Sequence, residues 1–184
     1  MSIQPWDAPS LLQVFGDLPY AVIGAVAANQ YMPERTTTDI DFAITNQDQP
    51  VIESALTAAG WRKGHALNLN PPLSGWAWSS PQGFTADLLT VPGSWGQRLV
   101  ETASHNLVGG LRMATLPHLV VLKLFSGRMS DVGDIGRMLG HQPPDTIAVV
   151  RALVAKLLPA VDLEDLDQII ELGRLEYGPP PFAV

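Results

Sequence analysis

The stretch RTTTDIDFAI, residues 35–44, constrains the fold more than any other part of the chain. Asp39 and Asp41 flank Ile40 and lead into an apolar run. Such a run predicts a buried β-strand, and side chains two residues apart on a strand point to the same face. The two carboxylates would then repel each other, unless a hard divalent cation with a preference for oxygen ligands lies between them. The alternative is a strand end at which both aspartates face solvent.

A third carboxylate occurs in FTADLLTV, residues 84–91. Asp87 is the one charged residue in this otherwise apolar or hydroxyl-bearing segment, and a buried carboxylate without a partner is costly. If this strand lies beside the first one, Asp87 can join Asp39 and Asp41 as a third metal ligand or as a base. The alternative is an edge-strand residue that faces water.

The order of the predicted elements indicates an α+β fold. A short strand at 20–23 is followed by an alanine-rich helix that continues to about Met32, and a second strand covers 38–45. A helix over 50–59 follows, and then an irregular stretch. The next element is a hairpin whose two strands cover 75–80 and 84–91. The pattern after this hairpin is helical. We therefore expect a mixed sheet with flanking helices in residues 1–92 and a helical part in residues 93–184, together forming one continuous domain.

Charge and composition exclude several classes of function. The formal net charge is −7, whereas proteins that grip nucleic acid carry broad basic surfaces. Small anionic ligands held by a metal remain compatible with an acidic chain. The chain has no cysteine, which excludes disulfides and thiolate metal sites. The N-terminus lacks the pattern of a signal peptide and no apolar run reaches the length of a membrane span, so a soluble, cytoplasmic protein is expected.

A glycine turn precedes the aspartates. In VIGAVAANQ, residues 22–30, Gly24 separates a strand from a helix. Glycine allows a ligand to approach the backbone, and the N-terminus of a helix offers free N–H groups to a phosphate.

These segments together resemble the nucleotidyltransferase superfamily related to DNA polymerase beta. The stretch VIGAVAANQYMPERTTTDIDFAI, residues 22–44, is similar to the family's strand, glycine turn and helix followed by Arg-x-Thr-x-Asp-x-Asp, here Arg35, Thr37, Asp39 and Asp41. The segment LVVLKLFSGRMSDVGDIGRML, residues 119–139, resembles a Lys, Arg and Lys-Asp-x-x-Asp pattern of the AbiEii-type toxin and minimal nucleotidyltransferase branch. The resemblance covers residues 20–140.

The resemblance implies transfer of a nucleoside monophosphate from a nucleoside triphosphate, with ATP among the candidate donors, to a hydroxyl. Asp39, Asp41 and Asp87 would be the catalytic residues and would hold two Mg²⁺ ions. Implied nucleotide-binding residues are Gly24, Ala25, Arg35, Thr38, Lys123 and Arg128. The acceptor would be an RNA 3′ end, a protein or a small molecule, and an antitoxin is an implied partner.

Asp131 and Asp134 lie one helical turn apart and would orient Lys123 or Arg128; the alternative is a surface ion-pair helix. His118 is expected to pack or to cap rather than to act as a base.

Two departures from the family pattern favour a different function. Ala25 replaces a Gly or Ser and so removes a hydroxyl, and Ser130 stands where a Lys is frequent. These changes favour the alternative of a catalytically inactive nucleotidyltransferase-like binding or partner protein. The intact set of three aspartates favours the enzyme. A metal-dependent phosphohydrolase is a weaker alternative, since no histidine lies near these aspartates in sequence.

Overall fold

The computed structural model describes residues 8–33 and 36–177, which fall into two compact units. One comprises residues 8–27 and 36–115, and the other comprises residues 28–33 and 116–177. Among these described residues, no helix is both long and apolar enough to cross a membrane.

The first unit is built on a five-stranded mixed sheet. Its strands are β1 (Ala21–Ile23), β2 (Asp39–Thr45), β3 (Arg62–Ala66), β4 (Ser74–Ser79) and β5 (Thr85–Val91), in the spatial order β1-β2-β5-β4-β3. The central pair β2–β5 is parallel and the other pairs are antiparallel. The unit also contains α1 (Ala8–Phe15), α2 (Gly24–Ala28) except its last residue, α3 (Gln49–Ala58), α4 (Gly93–Ser104) and a small hairpin of β6 (Leu107–Val108) and β7 (Leu111–Arg112). The prediction of an α+β fold with a mixed sheet is confirmed.

Two opposite faces of this sheet have different partners. On one face, the ring of Phe42 lies 4.7 Å from that of Phe15 on α1, and Thr90 donates a hydrogen bond to Gln49 on α3. On the other face, α4 approaches β5 so closely at Gly96 that a Cβ there would lie 2.3 Å from the carbonyl oxygen of Val91. Because β-strand side chains alternate, this second face also carries Asp39, Asp41 and Asp87; we call it the carboxylate face.

The second unit is helical, with α5 (Leu116–Ser126), α6 (Met129–Leu139), α7 (Pro144–Leu157) and α8 (Ala160–Tyr177). Helices α6 and α8 cross in close contact, since a Cβ on Gly173 would lie 2.4 Å from the carbonyl oxygen of Gly136. Ile135 and Met138 on α6 and Leu166 on α8 are fully buried. The glycines thus allow the backbones of α6 and α8 to pack in direct contact.

Three local features differ from the sequence-based expectation. Helix α2 ends at Ala28 rather than near Met32, where a turn closed by the Tyr31 N–H and the Ala28 carbonyl takes over. Helix α1 and the β6–β7 hairpin were not predicted, because elements this short carry little periodic signal. The structure groups α4 and the hairpin with the strands of the first unit, and the division at residues 92/93 stays a prediction.

Candidate functional site

Three carboxylates meet at the centre of the sheet. Asp39 and Asp41 lie two residues apart on β2, and Asp87 pairs directly with Asp41 across the parallel β2–β5 ladder. Each residue offers one carboxylate oxygen, and these oxygens all lie within 4.8 Å of one another. All three residues are half-buried. The structure thus brings together the three aspartates predicted from their strand positions.

This separation suits a divalent cation. A hard cation such as Mg²⁺ binds oxygen at about 2.0–2.1 Å, so two ligands on opposite sides of one ion are about 4.2 Å apart. Three carboxylate oxygens within 4.8 Å can therefore close on an ion with little movement. Without a cation, the same spacing places like charges at repulsive distances.

Gly24 sets the position of the Asp41 carboxylate. It opens α2 directly after β1 with φ +64°, a region that favours glycine. A Cβ at this position would lie 1.7 Å from Asp41 Oδ2, which is far inside van der Waals contact. The space left by the missing side chain is therefore filled by the Asp41 carboxylate, and the next residue, Ala25, is buried.

Thr37 supports Asp39 from the segment before β2. Its Oγ1 donates a 2.6 Å hydrogen bond to Asp39 Oδ1. Thr38, the neighbour predicted to bind nucleotide, is exposed. The contact of Thr37 with Asp39 was missed in the sequence, although a threonine two residues before an aspartate in an extended segment is the available signal. Arg35 lies outside the described residues.

We expect Thr37→Val to weaken metal binding without unfolding the protein. Valine keeps the shape but removes the donor that fixes Asp39, and loss of such a supporting hydrogen bond typically costs 10–100-fold in metal affinity or activity. The measurement is the divalent cation concentration that half-saturates a thermal shift. Thr36→Val, at an exposed neighbouring position, is the matched control, and equal cation dependence in the two variants would contradict the role of Thr37.

Three of the predicted residues of the second unit, Lys123, Asp131 and Asp134, form a largely buried ion cluster. Lys123 Nζ lies 2.7 Å from Asp131 Oδ1 and 2.8 Å from Asp134 Oδ2. Lys123 is 8% exposed and Asp134 only 2%, so the pairs are not those of a surface helix. Ser126 donates a hydrogen bond to Asp131, and Arg137 Nη1 lies 3.9 Å from Asp134 Oδ1. Sequence reasoning did not include Ser126 and Arg137.

Two further candidates of this unit have simple environments. Arg128 is exposed and precedes α6 as its N-cap residue. His118 is 6% exposed on α5, and burial lowers the pKa of its imidazole. A lowered pKa keeps the ring neutral at pH 7, as is typical of a packed histidine. The expectation that His118 packs is confirmed.

The comparisons with solved structures identify the fold. ANT(2″)-Ia in complex with adenylyl-2″-tobramycin aligns over 92% of this chain and 96% of its own, with a TM-score of 0.52 and 15% identity. A solution structure of the same antibiotic-resistance factor gives a TM-score of 0.50 at 14% identity, over 92% of this chain and 90% of its own. The Cid1 poly(U) polymerase aligns over 70% of this chain and 34% of its own with a TM-score of 0.34 and 11% identity.

No protein-family model and no curated protein matches the chain. The mixed sheet and its flanking helices nevertheless match nucleotidyltransferase folds. The chain therefore has a nucleotidyltransferase fold, with three clustered aspartates on its central strands.

Proposed function

We propose that this protein is a Mg²⁺-dependent nucleotidyltransferase that moves a nucleoside monophosphate from a nucleoside triphosphate to a hydroxyl. The observation that carries the proposal is the convergence of Asp39, Asp41 and Asp87 within 4.8 Å on the face of a nucleotidyltransferase-type sheet. Transfer of a phosphoryl-type group needs positioning and charge neutralisation more than covalent chemistry from the protein. A cluster of carboxylates on a rigid sheet supplies the anchoring that this requires.

In the proposed reaction, the acceptor oxygen bonds to the α-phosphorus while the bond from that phosphorus to the bridging oxygen breaks and pyrophosphate leaves. When bound, two Mg²⁺ ions would stabilise the attacking and the leaving oxygens. Asp39 and Asp41 would hold both ions, and Asp87 would hold the ion on the acceptor side. A carboxylate oxygen of Asp87 would accept the proton of the acceptor hydroxyl and later pass it to water.

The residues assigned to the triphosphate are supported to different degrees. The turn at Gly24 adjoins Asp41, which supports a role of the Gly24–Ala25 backbone near the phosphates. Lys123 is bound by two carboxylates of its own unit; it stays a predicted nucleotide-binding residue, with Asp131 and Asp134 as the residues that orient it. Arg35, Thr38 and Arg128 stay predicted phosphate-binding residues.

For the acceptor, we favour a hydroxyl of a small molecule over an RNA 3′ end or a protein. ANT(2″)-Ia, which aligns over nearly its whole length, is described in complex with an adenylylated small molecule, and this chain has a net charge of −7, which disfavours an extended polyanion. We further propose that the protein belongs to the AbiEii-type branch and acts as a toxin with an antitoxin partner. Co-purification of an antitoxin with the protein would support this.

A thermal-shift titration with each of the four nucleoside triphosphates, with and without Mg²⁺, tests the proposal. A ligand at one hundred times its Kd stabilises the folded state by about 2.7 kcal/mol, which is roughly 5–10 °C for a chain of this size. We expect a Mg²⁺-dependent shift that is lost in Asp87→Asn and kept in Asp17→Asn, an exposed aspartate of the same unit. No shift with any nucleoside triphosphate would overturn the enzyme proposal.

Asp87→Asn also tests the cation site without nucleotide. Mg²⁺ alone should raise the melting temperature of the wild type more than that of the variant, because the variant lacks one of the three carboxylates that would hold the ion. Melting curves in EDTA and in Mg²⁺ measure the two shifts, and equal shifts would contradict a cation site at these aspartates.

An inactive nucleotidyltransferase-like binding protein is the second candidate, favoured by Ala25 and Ser130. It predicts nucleoside triphosphate binding without pyrophosphate release under any condition. Transfer of an α-³²P label to any acceptor would exclude it.

A further inference from the structure

The sheet register places a row of polar side chains beside the carboxylates. Asp39 pairs with Thr85, Thr85 pairs with Ser79, and Ser79 pairs with Arg62. Residues paired across a sheet point to the same face, so this row crosses the carboxylate face from β2 to the edge strand β3. With strands about 4.8 Å apart, the Cα of Arg62 lies roughly 14 Å from that of Asp39, and its long side chain can reach back toward the site.

The neighbouring row is made of very small residues. Asp87 pairs with Ala77, and a Cβ on Gly64 would lie 3.8 Å from the Ala77 Cβ. Ala77 and Gly64 therefore form a shallow shelf on the carboxylate face, directly beside the Asp87 side of the cluster. We call these two residues the shelf.

An apolar wall borders the shelf on its other side. A Cβ on Gly75, which is on the same face, would lie 2.9 Å from Leu67 Cδ1 and 3.3 Å from Leu69 Cδ1, so these leucines cover β4 at that point. Both leucines are half-buried. The shelf is thus bounded by a polar row on one side and by two leucines on the other.

Arg62 is the one lysine or arginine that the described strands of the five-stranded sheet place on the carboxylate face. Its neighbour Lys63 points to the opposite face, where Nζ lies 2.8 Å from Glu53 and 4.3 Å from the centre of the Trp76 ring. Burial alone would raise the pKa of Glu53, but the hydrogen bonds from Lys63 and Gln49 outweigh it and lower the pKa. Arg62 is exposed and has no ion-pair partner among the described residues.

We infer that the shelf and Arg62 form the acceptor subsite, and that the acceptor is a small hydroxyl-bearing molecule with a carboxylate or phosphate. Its ring or chain lies on Ala77 and Gly64, its hydroxyl meets Asp87, and its anionic group binds Arg62, whose guanidinium matches such oxygens in a bidentate fashion. A single free cation suits one anionic group, whereas a nucleic-acid strand needs several along its length. The inference rests on the proposed function and names its acceptor class.

A matched series of acceptors on one ring tests the charge preference. Glucose 6-phosphate, glucuronate, glucose and glucosamine share a hydroxyl-bearing ring and differ mainly in charge. With α-³²P nucleoside triphosphate and Mg²⁺, we expect labelled product with the two anionic rings at rates at least tenfold above glucose, and with glucosamine below glucose. Arg62→Gln should bring the four rates together, and Lys63→Gln, on the adjacent residue of the opposite face, should keep the wild-type order.

Filling the shelf tests its role independently of charge. Ala77→Leu should reduce transfer to glucose 6-phosphate at least tenfold while leaving the nucleoside triphosphate thermal shift in place. Ala66→Leu adds the same side chain to an exposed position paired with Trp76, on the opposite face, and should have little effect.

These experiments distinguish a failure of the proposed function from a failure of the acceptor subsite alone. If the wild type shows no Mg²⁺-dependent shift with any nucleoside triphosphate, the proposed function falls and the acceptor subsite with it. If the shift is present but transfer to the four rings is equal or absent, or if Arg62→Gln behaves like Lys63→Gln, only the acceptor subsite is overturned.

Discussion

Replacing Gly24 by alanine should abolish nucleotidyl transfer nearly as completely as replacing Asp41 by asparagine. The alanine Cβ would be placed 1.7 Å from Asp41 Oδ2, so either the carboxylate or the β1–α2 turn must move. Removing one preorganised charged or polar group from an active site costs about 10²–10³-fold in rate, and we expect a loss on the order of a thousandfold. Label transfer from an α-³²P nucleoside triphosphate measures it.

The chain offers a matched control for backbone strain. Gly127 has the same φ of +64°, but nothing lies within 4 Å of the position where its Cβ would be. Gly127→Ala therefore carries the conformational cost of a left-handed alanine without the collision. Comparable stability of the two variants with activity lost only in Gly24→Ala would support the role of Gly24, and full activity in Gly24→Ala would refute it.

Replacing Lys123 by methionine should destabilise the second unit strongly. The change leaves the carboxylates of Asp131 and Asp134 without the ammonium that lies within 2.8 Å of both, and Asp134 is only 2% exposed. Removing one partner from a buried ion pair costs about 3–5 kcal/mol, which corresponds to roughly 6–20 °C in Tm. Thermal or urea unfolding measures the loss.

Two comparisons separate the buried charge from loss of packing. Lys156→Met, at an exposed position in the last turn of α7, should change stability by less than about 0.5 kcal/mol. The double variant Lys123→Met/Asp134→Leu should be more stable than Lys123→Met alone, because it removes the more deeply buried of the two carboxylates that lose the Lys123 ammonium. If the double variant were less stable than Lys123→Met, packing and not charge would account for most of the stability that this cluster contributes.

The strand pattern was enough to predict that Asp39, Asp41 and Asp87 lie close together; that they hold a divalent cation stays a prediction. An aspartate pair at the start of one apolar strand and a single aspartate in another favour neighbouring strands with their charged faces aligned, because a buried carboxylate without a partner is costly. Aspartates that face water were the alternative that the sequence left open. The parallel β2–β5 ladder then brings Asp41 opposite Asp87.

Other parts of the site could not be read from the chain. The contact between Gly24 and Asp41 depends on a turn angle and a distance that no residue pattern encodes. The carboxylate face extends to Arg62 only because β4 and β3 pair in a particular register, and one inserted residue between Lys63 and Ala66 changes that register. A one-residue slip exchanges the faces of a strand, so sequence alone could not say whether Arg62 or Lys63 faces the aspartates.

The parallel pairing of β2 with β5 has a consequence for how the protein is made. Asp41 and Asp87 are distant along the chain, and everything between them, including α3 and the β3–β4 segment, must be synthesised before β5 can dock. Contacts of such sequence separation form late and slowly. A nascent chain that has emerged only through β4 holds two of the three carboxylates, so we expect tight cation binding to arise in the same step that completes the sheet.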